Sequence, residues 1–548
     1  VESGLVGAQR VGAEDQDGAR PVVRRGPPPV RSAEPSLAAA AGAGLAFALV
    51  TAGAPVLLPA GLLALLLVAL VARPWHRLVW VALPALVLHG PTVAQAAVTW
   101  ADGGWRLLLT DPGVPVPATG APAWQQLLGW PVAPPAWVEA PSWPLVALVA
   151  PGVVLALAVL ALAVRRGAAA VRIGWLVAGL GLAAAVVCGL TPTAVADLDD
   201  LGLALVAAWP GGGVSLALLG LLTAALVGAT GARRAMSGHD FGWRQLGAGL
   251  LAALAVLGPL LVLGAWTVGV RAGDLALSTS SVPVVPAVGV QMQDSDADVR
   301  VLALEVAPST AVRATLLRHD GVQLTDLGRV ATAAAVGGPY GAVAVLPADA
   351  ADQEAATAVA RLAAGAPTAA DELAALGIGA VLLGPGSEPS TARTTLVGRL
   401  DSTDGLERVT ATAAGVIWRV SSAQGDRTVG WARLVDGTEA TDAATGEGLA
   451  VVPAAEGVVD TEVPPGAGPR QLVLAERADP GWHAWLDGQP LRSVETTWRQ
   501  AFEVPDSGGR LTVAYAPAGR TAWAVLQGAV LLVTVLLAVP VRRRRGAR

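Results

Sequence analysis

Two residue types are missing from this chain of 548 residues, which contains neither lysine nor asparagine. All 37 basic residues are therefore arginine. The absence of lysine excludes a P-loop and a Schiff-base amine, and the absence of asparagine excludes an N-glycosylation acceptor. The dominance of Ala, Gly, Val, Leu and Pro is typical of a GC-rich genome, so we expect an actinobacterial source.

Cysteine and charged residues are also scarce. The one cysteine, Cys188, lies inside an apolar run, which excludes a disulfide framework and a thiolate metal site. Charged residues make up 14% of the chain and hydrophobic residues 53%, and the mean hydropathy is +0.56. Such a composition is typical of a polytopic α-helical membrane protein.

Apolar runs long enough to cross a bilayer as helices predict about eight transmembrane helices. They occupy residues 37–54, 55–72, 78–98, 144–164, 173–190, 213–231, 247–270 and 522–541. Seven of them fall in a membrane domain, 37–271, and the last in 521–541. A shorter apolar piece at 201–208 ends in a Trp-Pro-Gly-Gly-Gly run, which predicts a re-entrant or interfacial segment.

Arginine is concentrated in alternate connections between the predicted helices. The segments on one side hold Arg10, Arg20, Arg24, Arg25, Arg31, Arg73, Arg77, Arg165, Arg166, Arg172, Arg233, Arg234, Arg244, Arg542–Arg545 and Arg548. The short loops and helix margins on the other side hold only Arg106 and Arg271. Because positive residues favour the cytoplasmic side, we predict a plasma-membrane protein with a flexible cytoplasmic segment, 1–36, and a basic cytoplasmic tail, 542–548.

Two segments are then predicted outside the cell. One is a loop at 99–143 rich in tryptophan and proline, a composition suited to the lipid headgroup region. The other is a large extracytoplasmic domain, predicted as α/β over 272–425 and as a β-sandwich over 426–520. Residues 272–520 contain 30 acidic residues and 17 arginines, which argues against a nucleic-acid partner.

The stretch ADPGWHAWLDGQPL, residues 478–491, is the densest cluster of polar and aromatic residues in the outer domain. Its Asp-Gly pair suits a two-residue hairpin turn. In a regular strand Trp482 would face the core, while His483 and Trp485 would lie on the opposite face. The favoured interpretation is a structural hairpin, with His483 and Trp485 as candidate substrate-binding residues for a sugar.

Carboxylates of the outer loops are the candidate catalytic residues. Asp102 and Asp111 lie in the first outer loop, where a lipid-linked substrate would present its phosphate and sugar. A general base for sugar transfer requires a carboxylate that points at the acceptor hydroxyl. The alternative role of such residues is to keep the loop in water. The sequence indicates no metal site and no cofactor.

Six stretches can be compared with a known family. They read AWPGGGVSLALLGLLTAALVGATG (208–231), LGIGAVLLGPG (376–386), LDSTDGLERV (400–409), VIWRV (416–420), ADPGWHAWLDGQPL (478–491) and WRQAFEVP (498–505). Together they resemble the membrane and outer-domain part of the long actinobacterial family 2 glycosyltransferases. The PGWxAxLDG element is also similar to one in YfhO-type bacterial membrane proteins.

The resemblance implies glycosyl transfer to a lipid-linked or cell-wall glycan. In that family a cytoplasmic nucleotide-sugar domain with a metal-binding Asp-x-Asp precedes the membrane part. We therefore expect the transferase domain to be encoded upstream or in a separate partner chain. Any divalent metal would be bound by that domain. No functional residue of the family can be carried over to this sequence.

Three hypotheses follow. The first is a membrane-embedded component of a glycosyltransferase in cell-envelope glycan synthesis, which lacks the cytoplasmic catalytic domain in this chain. The second is a transferase that uses a polyprenyl-phosphate sugar at a site in the outer loops. The third is a non-enzymatic membrane scaffold that binds glycan. Membrane lipid and a lipid-linked sugar or cell-wall glycan are the expected partners.

A double substitution tests the second hypothesis. If Asp102 or Asp111 is the general base, replacing both by alanine should abolish sugar transfer, because the acceptor hydroxyl then loses its proton acceptor. The measurement is glycan synthesis in cells that carry only the variant chain. Full synthesis would eliminate the outer-loop site.

Overall fold

The computed structural model describes most of the chain in separate stretches. These are residues 36–72, 75–110, 143–164, 167–198, 202–236, 282–306, 312–317, 336–338, 342–386, 390–421, 429–437 and 450–539, with scattered positions between 242 and 271. Asp111, the rest of the tryptophan-rich loop up to 142, and the predicted cytoplasmic ends lie outside the described residues.

The α-helices are numbered in chain order. They are α1 (Leu37–Gly53), α2 (Leu57–Ala72), α3 (Trp75–Leu88), α4 (Gly90–Val98), α5 (Trp143–Ala161), α6 (Ala168–Leu190), α7 (Gly211–Met236), α8 (Ala287–Gln293), α9 (Ala350–Ala364), α10 (Ala369–Ala375), α11 (Thr391–Ser402) and α12 (Arg520–Ala538).

The strands are numbered in the same way. They are β1 (Pro192–Leu198), β2 (Gly202–Ala207), β3 (Arg300–Val306), β4 (Val312–Leu317), β5 (Val336–Gly337), β6 (Ala344–Val345), β7 (Ile378–Leu383), β8 (Leu406–Thr412), β9 (Gly415–Val420), β10 (Ala432–Asp436), β11 (Ala450–Val452), β12 (Val459–Val463), β13 (Arg470–Arg477), β14 (Trp482–Leu486), β15 (Gln489–Pro490), β16 (Ser493–Val494), β17 (Arg499–Val504) and β18 (Gly509–Tyr515).

Three helices of the described residues are long and apolar enough to cross a membrane, namely α6, residues 211–230 of α7, and α12. The pair α3 and α4 would make a fourth, bent by 73°. These helices support membrane association, although they are fewer than the eight predicted. One reason is length: α1 has 17 residues and so spans about 25 Å, short of a hydrocarbon core of about 30 Å.

The predicted span at 78–98 is broken between α3 and α4. Pro91 occupies the first turn of α4, and it has no N–H to donate to the carbonyl of Val87 four residues earlier. That carbonyl instead accepts hydrogen bonds from Trp523 Nε1 at 3.1 Å and from Gln527 Nε2 at 3.2 Å. Side chains of α12 thus satisfy the backbone group that the proline leaves unpaired.

The helices α6 and α7 pack through small residues. An added Cβ at Gly181 would lie 2.3 Å from the backbone nitrogen of Ala217, and one at Gly220 would lie 2.5 Å from that of Ala178. Backbones that approach this closely are typical of glycine-rich pairs of membrane helices. Between the two helices β1 and β2 form an antiparallel hairpin, so the segment predicted as re-entrant or interfacial is mostly strand β2.

An α/β lobe follows, from α8 to β9. Its five-stranded sheet has the order β4-β3-β7-β9-β8, in which β3 and β7 are parallel and the other pairs antiparallel. Side chains of α9, α10 and α11 form one core with this sheet. All six residues of β7 are buried, as expected for a central strand covered on both faces.

A β-sandwich follows, from β10 to β18. One sheet has the order β11-β10-β13-β17-β16 and the other β12-β18-β14-β15. Leu472 and Phe502 of the first sheet share a buried core with Leu486 and Val513 of the second. Within the described residues this part of the chain is therefore rich in β-strands.

A buried carboxylate joins the lobe to the sandwich. Glu476 of β13 forms an ion pair with Arg300 of β3 and accepts a hydrogen bond from the indole nitrogen of Trp431 at 3.1 Å. Both side chains of the ion pair are largely buried. Loss of one partner would leave the other charge without compensation, which is strongly destabilising.

A second carboxylate makes the same kind of connection. Glu354 of α9 forms an ion pair with Arg499 of β17 and accepts a hydrogen bond from Trp498 Nε1 at 2.7 Å. The neighbouring Arg433 donates to the carbonyl of Ala375 at 2.9 Å. Burial and the charge of Arg499 lower the pKa of Arg433 to about 10, while Glu354 opposes this shift.

We predict that Gly181→Ala destabilises the α6–α7 pair by about 1–3 kcal/mol, because the new methyl group would collide with the backbone of α7. Gly179→Ala is the matched control, since a Cβ at Gly179 meets nothing within 4 Å. Both variants gain the same helix propensity, so the difference between them isolates the contact. Thermal unfolding of the full chain in detergent measures it, and equal stabilities would contradict the packing.

Candidate functional site

The hairpin predicted at 478–491 is formed by β14 and β15. Asp487 has φ of 49° and Gly488 has φ of 78°, so both turn residues are left-handed, as a two-residue hairpin turn of this type requires. Leu486 pairs with Gln489 on either side of the turn. The Asp487 carboxylate also accepts a hydrogen bond from the backbone nitrogen of Arg510 at 2.8 Å, which ties the turn to β18.

The two faces of β14 have the predicted assignment. Ala484 and Leu486 are buried in the sandwich core, and Trp482 packs against that core. His483 is exposed and Trp485 is half-buried. The rings of His483 and Trp485 lie 5.8 Å apart with an interplanar angle of 36°, so strand alternation brings the two candidate residues together.

A groove of about 580 Å³ opens beside these two rings. Residues of β14 form one side, and the segment from Pro490 to Thr496 forms another. Phe502 and Gln500 of β17 also line it. The polar and charged side chains that line the groove are Asp479, His483, Ser493, Glu495, Thr496 and Gln500.

Gln500 holds three segments of the groove in place. It is 2% exposed, its Oε1 accepts from the backbone nitrogen of Asp479 at 3.2 Å, and its Nε2 donates to Ser493 Oγ at 2.9 Å. A buried amide that satisfies both donor and acceptor in this way gives the groove a defined shape. Sequence reasoning missed Gln500, and a polar residue inside an otherwise apolar strand was the available signal.

Asp479 begins the turn that leads into β14. Its Oδ1 accepts from the backbone nitrogen of Gly481 at 2.7 Å. Tyr515 lies nearby, and burial, followed by the charge of Asp479, raises the pKa of its hydroxyl. The Trp482 ring lies between Tyr515, with centroids 5.0 Å apart, and Trp431, at 5.7 Å. This aromatic row supports the end of the strand that carries His483.

His483 is hydrogen-bonded to the backbone at one side of the groove. His483 Nε2 lies 3.2 Å from the carbonyl of Ala516, so this nitrogen donates the proton in that hydrogen bond. Within the described residues His483 has no hydrogen bond to a carboxylate or hydroxyl that would orient it as a general base. Across the same residues no group of three or more His, Cys, Asp or Glu could hold a metal ion.

The candidate catalytic residue Asp102 lies elsewhere. It is exposed, at the end of a short 3-10 helix (Trp100–Asp102). Its backbone carbonyl accepts from Gly338 N at 3.1 Å, and the buried Arg106 donates to the carbonyls of Gly338 and Ala342 at 3.1 and 2.8 Å. These bonds tie the first loop to the segment around β5 and β6. Asp111 lies outside the described residues.

A larger cavity of about 980 Å³ lies between β3, β4 and α9, with mostly apolar walls. The charged groups at its end already bind one another or a near neighbour. Arg300 pairs with Glu476, and Arg477 binds Asp349 at 2.8 Å and Asp352 at 2.5 Å. The groove beside Trp485 is therefore the better candidate for a polar ligand.

No family model, no curated protein and no solved structure matches this chain. The similarity to family 2 glycosyltransferases consequently depends on the sequence stretches alone.

Replacement of the two tryptophans of β14 by alanine should lower the stability by different amounts. We predict that Trp482→Ala destabilises the β-sandwich by about 3 kcal/mol, because Trp482 packs against its core. Trp485→Ala on the open face should cost no more than about 1 kcal/mol. Thermal unfolding of the full chain in detergent, followed by near-ultraviolet circular dichroism, measures both. An equally large loss for Trp485→Ala would make Trp485 a core residue.

Proposed function

We propose that this chain is a membrane-embedded component of a glycosyltransferase that acts in cell-envelope glycan synthesis, and that the groove beside Trp485 holds the glycan. The observation that carries the proposal is the half-buried indole of Trp485 next to the exposed His483, in a groove with polar side chains.

Such a groove suits a saccharide for two physical reasons. An indole with one open face offers a flat apolar surface for the C–H side of a sugar ring, and it loses little entropy because it has two side-chain torsions. Hydroxyl and carboxylate groups such as those of Thr496 and Glu495 can bond the equatorial hydroxyls. A few polar groups around an aromatic surface are the usual composition of small-molecule sites.

The position of the groove supports a glycan that is bound close to the membrane. Trp482 of β14 pairs with Tyr515 of β18, and α12 begins at Arg520. Only four residues separate β18 from this apolar helix, a distance of at most about 17 Å along the chain. In this proposal the arginine distribution puts the outer domain outside the cell, about eight spans hold it there, and lipid-linked sugar is within reach.

Sugar transfer itself is assigned to a nucleotide-sugar domain outside these residues, as the family resemblance implies. This chain would then hold and orient the acceptor glycan. The proposal differs from a non-enzymatic scaffold in one consequence: loss of glycan binding should change the product of a transferase.

The direct test is glycan binding by the purified full chain in detergent. Trp485→Ala should weaken binding of envelope glycan fragments by about tenfold or more, since a central aromatic contact contributes about 1.4 kcal/mol or more. Trp209→Ala is the matched control, because Trp209 is 53% exposed and does not line the groove. Titration calorimetry measures both variants.

The same variant tests the cellular role. Deletion of the gene should remove a sugar or linkage from the envelope glycan, the original gene should restore it, and the Trp485→Ala gene should restore less. Linkage analysis of the purified glycan reports each case. An unchanged glycan in the deletion strain would overturn the proposal.

A further inference from the structure

The charged side chains that line the groove are acidic, and one histidine lies beside them. Asp479 and Glu495 are carboxylates, and His483 is the one titratable base among the described lining residues. None of these lining residues is an arginine, although arginine is the only strong cation in the chain and residues 272–520 contain 17 of them.

Arg492, inside the groove segment, and Arg499, just after it, are directed elsewhere. Arg492 pairs with Glu503 at 3.7 Å, and Arg499 pairs with Glu354 of α9. Arg499 also lies 4.4 Å from the centroid of the Trp498 ring and is buried. Neither guanidinium is a lining residue of the groove.

This arrangement disfavours an anionic ligand. Phosphate and carboxylate groups are recognised by the paired N–H donors of arginine, which the groove does not offer. Glu495 is exposed and has no ion pair with any described residue, so its charge faces the groove uncompensated. Like charges repel when a ligand carboxylate approaches a protein carboxylate within several ångströms.

We propose that the groove selects uncharged sugar units, such as neutral hexoses or pentoses of a glycan, and rejects uronic-acid and phosphate-bearing units. The inference rests on the proposed function, in which this groove binds glycan. Trp485 supplies the surface for the sugar ring, and the carboxylates of Glu495 and Asp479, which both line the groove, set the selection.

Matched oligosaccharides test the selection. Tetrasaccharides of galactose, glucose and mannose are each compared with the uronic-acid tetrasaccharide of the same linkage, using the full chain in detergent at low salt. The neutral member of the preferred pair should bind about tenfold or more tightly than its uronate. The ratio of the affinity for the neutral sugar to that for the uronate should decrease as the salt concentration rises, because the Debye length then falls from about 10 Å to about 3 Å.

A charge-neutral variant assigns the effect to one residue. Glu495→Gln should narrow the ratio between the affinity for the neutral sugar and the affinity for its uronate, because the amide removes the negative charge and keeps the size of the side chain. Glu462→Gln is the control: Glu462 is an exposed glutamate on β12, outside the groove, and its replacement should leave the ratio unchanged.

The outcomes separate the two proposals. Uronate binding that equals or exceeds neutral binding and is lost in Trp485→Ala would overturn the selection and leave the proposed function intact. If no oligosaccharide pair binds, or if Trp485→Ala weakens the binding of none of them, the groove is not the glycan site. The inference about selection then falls with the proposed function.

Discussion

Two glutamates bind the α/β lobe to the β-sandwich, and the geometry of the groove depends on them. Glu476 pairs with Arg300 across the two units and accepts from the indole nitrogen of Trp431 within the sandwich. Glu354 accepts from both Arg499 and the indole nitrogen of Trp498 across the two units. Arg499, held by Glu354, directly precedes Gln500, the residue that holds the groove segments together. Arg300, Glu476 and Arg499 are largely buried, so opening either ion pair would leave a buried charge uncompensated.

Polar groups of the apolar helices are likewise paired with residues that are distant in sequence. The carbonyl of Val87, which Pro91 leaves without a backbone donor, accepts hydrogen bonds from Trp523 and Gln527 of α12. Arg106 in turn reaches the carbonyls of Gly338 and Ala342. Arg106 thus connects the helical part to the segment around β5 and β6, while small residues set the distance between α6 and α7.

The proposed function follows from where the groove lies and what lines it. An open indole beside polar side chains is suited to a sugar, and the short connection to α12 keeps that sugar close to the membrane. Acidic lining without arginine restricts the ligand to uncharged units. The resemblance to glycosyltransferases assigns the chemistry to another domain, which agrees with a groove built for binding.

The sequence by itself determined the local features. A period of two put His483 and Trp485 on one face of β14, an Asp-Gly pair set the turn, and apolar runs located the helices. Only the tertiary structure decided the bend after α3, the hairpin between α6 and α7, and the roles of Gln500, Glu354 and Asp479. Glu354 and Arg499 are 145 residues apart, and Gln500 and Asp479 are 21 apart. Local periodicity carries no information about such pairs, because their partners meet only when the sheets and helices pack.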